Sequence, residues 1–326
     1  MKGIELTPEH PVDRIADLGR AAEASGFDTV FASCHYNNRD PFLTLDRVAM
    51  ATETVRLGPG VANPFETHPA TLASRLATLD EVSDGRAVFG VGAGDASTLR
   101  NLGYDPERPL RRVLESFTVA RDLWAGERVD HDGAFRAHDA GLNYEAGEIP
   151  VYVGAQGPQM LGMAAKHADG VLFNGSHPDD AAWAADRIEE GLRERPDERG
   201  AFDFAVYASV SVAPTTEAAR EAARPPVAFI ASGAAPPVLD RHDLDADRAS
   251  AIGEAISAGE FQAAFDHVTE PMLDAFCIAG TPAEVAEGVA SVLDYADSVV
   301  AGAPLGPDLD RAVTLAGESL DRAIRA

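Results

Sequence analysis

The sequence has 326 residues, 45% of them apolar, which is sufficient for a large buried core. Its formal net charge is −26, from 53 acidic and 27 basic residues, which argues against nucleic acid as a partner because nucleic-acid binding needs a basic surface. Residues 1–11 contain one lysine and no apolar run typical of a signal peptide, and no apolar stretch reaches about 18 residues, so we expect a soluble, cytoplasmic protein with no membrane partner.

The first half of the chain alternates short apolar strands with helices. Leu72, Leu76 and Leu79 illustrate the helical pattern, because apolar residues three and four positions apart lie on one face of a helix. The predicted strands are Ile4–Leu6, Thr29–Ala32, Val55–Val61 and Ala87–Val91, and the predicted helices are Val12–Ser25, Phe42–Thr52, Pro69–Val82 and Pro109–Ala125.

The second half continues this alternation around one long interruption, a partly helical insertion over residues 216–280. The predicted strands are Val151–Val153, Gly170–Phe173, Phe204–Val212 and Ser298–Ala301, and the predicted helices are Pro158–His167, Pro178–Arg195 and Asp308–Arg325. Eight βα units predict an α/β fold whose parallel sheet closes into a (β/α)8 TIM barrel, with residues 1–326 as a single domain. A doubly wound open sheet is the alternative.

Polar and glycine-rich segments follow most of the predicted strands. The active sites of TIM barrels lie at the carboxyl ends of the strands, and glycine lets a backbone approach a ligand and present its N–H groups. Together the segments predict a pocket for a large cofactor with an anionic tail, although each one alone is also compatible with an ordinary turn. The segments are 33–39, 60–64, 92–95, 154–158, 174–177 and 301–307.

Glu5 is the most informative single residue, because it is a carboxyl inside a short apolar strand. In a partly apolar pocket such a group can donate a proton near neutral pH, whereas the alternative is a solvent-facing carboxylate at a strand end.

The sequence offers little support for dinucleotide binding or for a metal site. The glycines of Gly90–Asp95 do not have the spacing of a dinucleotide-binding loop. Neither the histidines nor the two cysteines, Cys34 and Cys277, have metal-ligand spacing, so we expect no metal.

Three motifs in series carry a resemblance: HYNNR at 35–39, VGAQGP at 153–158 and AGAPLGPD at 301–308. Essentially end to end, the sequence resembles the coenzyme F420-dependent methylenetetrahydromethanopterin reductases of the luciferase-like superfamily. The resemblance implies a TIM barrel, a homodimer or homotetramer, and the deazaflavin F420 at the mouth of the barrel, with FMN as the alternative cofactor. It also implies reversible hydride transfer to a methylene-pterin carried on tetrahydromethanopterin or tetrahydrofolate.

The resemblance further implies individual roles. Glu5 matches the proton donor, and Asp95 matches a catalytic aspartate of the pocket. A cis peptide at Gly60–Val61 would set Val61 against the deazaflavin ring. The residues expected to bind the coenzyme are His35, Asn37, Gly60, Val61, Ala62, Asn63, Gly94, Gly154, Ala155, Gln156, Gly157 and Asn174.

Cys34 is a departure from the resemblance, because an aspartate is expected at this position. A neutral thiol cannot replace a charged acceptor, so affinity or substrate choice is expected to differ. Two alternatives stay open for the function: another F420- or FMN-dependent oxidoreductase or monooxygenase of the superfamily, and a flavin-binding carrier without catalysis.

The acidic composition yields a prediction about salt. Only Lys2 and Lys166 are lysines, and at about 1 M salt the Debye length falls to about 3 Å, which screens repulsion among carboxylates. We therefore interpret the sequence as a halophilic, haloarchaeal type and expect its thermal unfolding midpoint to rise steeply with potassium chloride concentration. Unfolding scans from low to molar potassium chloride measure this rise. An unfolding midpoint that does not change with potassium chloride concentration would contradict the salt adaptation.

Overall fold

A computed structural model describes residues 1–325, except the side chains at 96 and 97. Two compact units are present: Met1–Asn174 with Ala184–Ala205, and Gly175–Trp183 with the chain from Val206 onward. The strands are β1 Lys2–Glu5, β2 Thr29–Ala32, β3 Arg56–Pro59, β4 Phe89–Gly92, β5 Val129–Asp132, β6 Arg136–Ala140, β7 Val151–Ala155, β8 Gly170–Asn174, β9 Asp203–Val212, β10 Ile278–Gly280 and β11 Ser298–Leu305.

The helices agree with the predicted ones to within a few residues wherever a helix was predicted. They are α1 Val12–Ala24, α2 Pro41–Ala49, α3 Pro69–Val82, α4 Ala96–Asn101, α5 Pro109–Trp124, α6 Pro158–His167, α7 Pro178–Leu192, α8 Thr216–Gly233, α9 Pro236–Arg241, α10 Ala246–Ser257, α11 Phe261–Asp266, α12 Glu270–Phe276, α13 Pro282–Leu293 and α14 Leu309–Ile324, with a 3-10 turn at Asp197–Arg199. None of the helices in the described part of the chain is long and apolar enough to cross a membrane.

The first unit is built on six parallel strands that neighbour one another in chain order: β1, β2, β3, β4, β7 and β8. The side chains of β1, β2 and β4 are buried throughout, as parallel sheets require because helices cover their faces. A doubly wound sheet would reverse its strand order at a switch point, and these six strands show no reversal. Their carboxyl ends therefore lie along one edge.

The sequence does not predict four elements of the structure: β5, β6, α4 and α13. β5 and β6 form an antiparallel hairpin after α5. The residues of this hairpin are mostly polar and show no apolar periodicity that would predict the two strands. α4 is a short helix capped by Asp95. α13 begins at a capping box, in which Thr281 and Glu284 hydrogen-bond each other's backbone N–H groups, and this pattern is readable from sequence.

The second unit contains β9, β10 and β11, with β9 between the other two. The predicted insertion over 216–280 consists of α8 to α12 together with β10. Its helices bury one apolar cluster around Val227, Ile252 and Leu273. β11 extends to Leu305, so the segment predicted as a loop from residue 301 begins as strand.

A buried ion cluster ties α7 to the end of α9 within the second unit. The Asp180 carboxylate, 5% exposed, accepts hydrogen bonds from Arg241 and lies 2.9 Å from His242 Nε2. The Arg241 guanidinium also stacks 4.6 Å from the Trp183 ring. Burial alone would raise the pKa of Asp180, but hydrogen bonds and charge from His242 and Arg241 outweigh burial and lower it.

This cluster predicts a pH-dependent loss of stability. Because the folded pKa of Asp180 is lowered, its contribution is complete above the unfolded pKa of about 3.9 and disappears as the pH falls through the folded value. Removing one partner of a buried pair typically costs about 3–5 kcal/mol, so Asp180→Asn should destabilise by roughly this amount at pH 7 and by less at acid pH.

Urea unfolding from pH 7 to pH 3 at fixed potassium chloride measures the difference. The exposed neighbour Asp179 provides the control, because Asp179→Asn should change the free energy of unfolding by less than about 1 kcal/mol at any pH. Equal effects of the two substitutions would contradict the stabilising role of the buried cluster.

Candidate active site

The residues predicted for catalysis and coenzyme binding all lie in the first unit, at or just beyond the carboxyl ends of its six parallel strands. Glu5 ends β1 and Asn174 ends β8. His35 and Asn37 follow β2, Gly60–Asn63 follow β3, and Gly94 and Asp95 follow β4. Gly154 and Ala155 end β7, and Gln156 and Gly157 come directly after it. The sheet therefore brings the predicted set to one edge.

Glu5 is the last residue of β1, a strand whose four residues are all buried. Glu5 is 8% exposed, and Thr7 Oγ1 donates a hydrogen bond to Oε1 at 2.9 Å. The sequence-based alternative of a solvent-facing carboxylate is therefore wrong. The carboxyl lies at the edge of the sheet where the other predicted site residues are found.

Val61 occupies a fixed position at the centre of this edge. The Gly60–Val61 peptide bond is cis, which confirms the prediction. The backbone is held on both sides, because Gly60 N–H donates to Ala32 O at 2.8 Å and the next residue, Ala62, exchanges hydrogen bonds with Gly90 and Gly92. Two glycines leave room for the side chain: a Cβ on Gly92 would lie 2.7 Å from Val61 Cγ2, and one on Gly154 would lie 3.0 Å from it.

Asn63 is 7% exposed, and its side chain is engaged by its own loop. Asn63 Oδ1 accepts the N–H groups of Phe65 and Glu66 at 3.1 and 2.9 Å, and Nδ2 donates to Glu66 Oε1 at 2.5 Å. A Cβ on Gly94, whose φ is +80°, would lie 3.1 Å from the Asn63 side chain. Asn63 therefore fixes Glu66, a residue that the sequence analysis missed although an Asn followed three positions later by Glu is a local turn signal.

The loops after β2 and β4 meet through α4. Asp95 begins this helix, and its carboxylate accepts the Thr98 N–H at 2.7 Å. Thr98 Oγ1 in turn lies 3.5 Å from His35 Nδ1, and Asn101 Nδ2 donates to Tyr36 Oη at 3.4 Å. The Asp95 side chain thus helps to order the helix that carries these contacts.

The β7 side of the edge is open. Ala155 is buried, whereas Gln156, Gly157 and Asn174 are exposed. A Cβ added to Gly157 would meet no atom within 4 Å, so a ligand can approach this backbone without obstruction. Gly157 also precedes the first turn of α6, where N–H groups have no partners within the helix.

A cleft of about 320 Å³ lies between the loop after β2 and the segment after β3. Cys34 forms part of its wall, with Sγ 3.7 Å from Ala32 O. Burial first, then the negative charges of Glu66, Asp40 and Glu5, raise the pKa of the Cys34 thiol far above its usual range, against the opposing charge of Arg75. A pKa raised in this way favours the neutral thiol at physiological pH.

These residues fit a planar, polar coenzyme ring. Val61 presents an apolar side chain between two glycines, and the buried Ser33 Oγ, directly after β2, has no hydrogen-bond partner in the part of the chain that the structure describes. A buried hydroxyl without a partner is costly, and a ligand polar atom would satisfy it. Among residues 1–325, no three His, Cys, Asp or Glu side chains come close enough to hold a metal ion.

Residues 2–300 match the family of luciferase-like monooxygenases. The chain belongs to this family, and the predicted (β/α)8 barrel class is thereby confirmed. A 5,10-methylenetetrahydromethanopterin reductase of Archaeoglobus fulgidus is 42% identical over 98% of each chain, and one of Methanopyrus kandleri is 37% identical over 98% of this chain and 97% of the relative. Within the luciferase-like family, the chain groups with these reductases.

A solved structure supports the same grouping. The coenzyme F420-dependent tetrahydromethanopterin reductase of Methanopyrus kandleri superposes with a TM-score of 0.91 at 36% identity, covering 97% of this chain and 96% of the other. An F420-dependent secondary alcohol dehydrogenase superposes with a TM-score of 0.79 at 22% identity, which shows the shared fold alone.

The fit around Val61 predicts the effect of one added methyl group. Gly154→Ala would place a Cβ 3.0 Å from Val61 Cγ2 and push the valine out of position. Overpacking typically costs about 1–3 kcal/mol, which as lost binding corresponds to a roughly 5- to 150-fold higher Kd for F420. Fluorescence titration with the oxidised coenzyme measures this Kd.

Gly162→Ala is the matched control, because a Cβ there would meet no atom within 4 Å and alanine favours the interior of α6. This variant should bind F420 as tightly as wild type does. If Gly154→Ala also binds F420 unchanged, then Val61 does not form the backing of the coenzyme site.

Proposed function

We propose that this protein transfers a hydride from reduced coenzyme F420 to a methylene-pterin and thereby forms the methyl-pterin. The observation that carries the proposal is the similarity to methylenetetrahydromethanopterin reductases over 98% of both chains, at 42% identity. The buried carboxyl of Glu5 and the fixed Val61 give this reaction a proton donor and a coenzyme backing at the same sheet edge.

The protein's own residues have separable tasks in this proposal. Reduced F420 supplies the hydride when bound. Val61 would back one side of the coenzyme ring, which would leave the other side for the substrate. The open backbone at Gly157 would take the anionic part of the coenzyme, because no side chain or neighbouring atom obstructs it. His35, Asn37 and Asn174 line the exposed rim.

Glu5 protonates a ring nitrogen of the methylene-pterin, which makes the one-carbon unit a better hydride acceptor. Burial next to apolar strand residues keeps water from competing for this proton, and the Thr7 hydroxyl orients the carboxyl. Asp95, which follows β4, would bind the substrate, while the hydrogen bond from the Thr98 N–H orients its carboxylate.

The carrier is proposed to be a tetrahydromethanopterin- or tetrahydrofolate-type pterin, because both present the same reacting ring. Methyl groups typically discriminate by only about 10- to 200-fold, so a site that contacts the shared ring accepts both carriers.

We also propose that the protein works in the cytoplasm of a salt-loving cell, as a homodimer or homotetramer, and that the whole chain is one barrel domain.

Turnover assays test this function. Reduced F420 is mixed with methylenetetrahydromethanopterin or methylenetetrahydrofolate at identical molar potassium chloride, and oxidation of the coenzyme is followed by its absorbance. We expect turnover with at least one pterin and none when reduced FMN replaces F420. Failure with both pterins would contradict the proposal, and the absorption spectrum of the bound cofactor would then show whether the protein uses a flavin.

The role of Glu5 predicts a specific kinetic change. Glu5→Gln keeps the size and the hydrogen bond from Thr7 but removes the transferable proton, so turnover should fall by about 10²–10⁴-fold while the Kd for F420 changes less than about twofold. Glu9→Gln, four residues along and exposed, should behave as wild type. If turnover of Glu5→Gln stays within a factor of about three, Glu5 is not the acid.

A further inference from the structure

The cleft beside the predicted site has walls that neither the coenzyme backing nor the acid uses. It is continuous with the site through Cys34, Ala62 and Asn63. Beyond these residues it runs along the start of α2 and across α3, where Leu72 gives it an apolar floor. A volume of about 320 Å³ accommodates part of a small molecule rather than a whole coenzyme.

Two guanidinium groups line the cleft. Arg75 is exposed on α3, its guanidinium lies 5.3 Å from the Phe42 ring, and among the described residues no carboxylate lies within ion-pair distance of it. Arg39 donates one N–H to Glu9 O at 2.7 Å. In a chain with 53 acidic residues, a guanidinium without an ion partner at a cleft is a candidate anion contact.

The two carboxylates of the cleft are already engaged. Asp40 accepts the N–H groups of Phe42 and Leu43 at 2.9 and 3.0 Å, where α2 begins. Glu66 accepts Asn63 Nδ2, as described above. Each carboxylate is thus held by its own segment, which leaves the exposed Arg75 guanidinium as the cation that a ligand carboxylate can contact.

We propose that this cleft binds the acidic arm of the pterin substrate, with the linker of the arm against Phe42 and its terminal carboxylate on Arg75. The inference rests on the proposed function. F420 also ends in carboxylates, so the shared chemistry is a flexible arm with an anionic end. The near end of the cleft shares His35, Ala62 and Asn63 with the predicted coenzyme site. Its remaining wall lies along α2 and α3, whereas the open backbone at Gly157, which would take the anionic part of the coenzyme, follows β7, and this difference favours the substrate.

The arm contact makes Arg75 a residue that determines substrate specificity without touching the reacting ring. An arm that ends in a glutamate should therefore bind more tightly than one without it. The neutral Cys34 thiol, at the junction of cleft and site, adds no charge that would repel the carboxylates of the arm as it passes.

The test compares tetrahydrofolate with the primary amide of tetrahydropteroate, which has the same ring and linker but no carboxylate. Binding of each to the F420-loaded protein is measured by calorimetry, which needs no turnover, and the KM of each methylene derivative is measured in parallel. Arg75→Gln should weaken tetrahydrofolate binding and raise its KM roughly tenfold, with kcat, binding of the neutral amide and the Kd for F420 changed less than about twofold.

Two further variants sharpen the comparison. Arg75→Lys keeps the charge and should recover part of the lost affinity, whereas Arg20→Gln, on the exposed face of α1, should change nothing. Equal effects of Arg75→Gln on both pterins, or no effect on either, would overturn the assignment. A rise confined to the Kd for F420 would overturn it in favour of the coenzyme tail. Because these are binding measurements, they stand even if the turnover assays fail.

Discussion

The candidate site depends on the packing of Val61 against β4 and β7, at two positions where these strands have glycine and therefore no side chain. Gly92 and Gly154 cannot carry a Cβ without colliding with Val61 Cγ2. The backbone next to Val61 is fixed by the hydrogen bonds that Ala62 exchanges with Gly90 and Gly92. An apolar side chain is thus held rigidly at an edge otherwise lined by polar groups, and this rigidity is what a coenzyme site needs to orient a flat ring.

The parallel sheet brings the other predicted site residues to the same edge as Val61. Because every strand of the first unit runs in the same direction, each one delivers its following loop to the same edge, and residues as distant in sequence as Glu5 and Asn174 share it. Loop-to-loop contacts then reduce the freedom of the edge. Asp95 starts α4, α4 contacts His35 through Thr98, and Asn63 anchors Glu66.

Much of this was predictable from the sequence because it depends on local patterns. Thr29–Ala32, Pro69–Val82 and Pro158–His167 are predicted with the bounds that the structure shows. The two helices begin at a proline and have an apolar period, and the strand is a short, mostly apolar run, so local sequence defines all three. The hairpin over β5 and β6 was missed because its residues are mostly polar, and α4 because a helix of six residues has too few positions to show a period.

The candidate site was also only partly predictable from the sequence. Glu5 and the cis bond before Val61 were predicted, one from a carboxyl in an apolar strand and the other from the family resemblance. The cleft was not predicted, because Arg75 and Phe42 approach each other only once α2 and α3 are packed, and no local pattern encodes that distance.

Deuterium labelling tests whether the bound coenzyme delivers its hydride to the one-carbon unit. F420 is reduced with deuterium at the position that donates the hydride, and the pterin product is then examined by mass spectrometry and NMR. We expect one deuterium in the methyl group for each coenzyme oxidised. A methyl-pterin without deuterium, or oxidation of the coenzyme with no methyl-pterin formed, would show that this transfer does not take place.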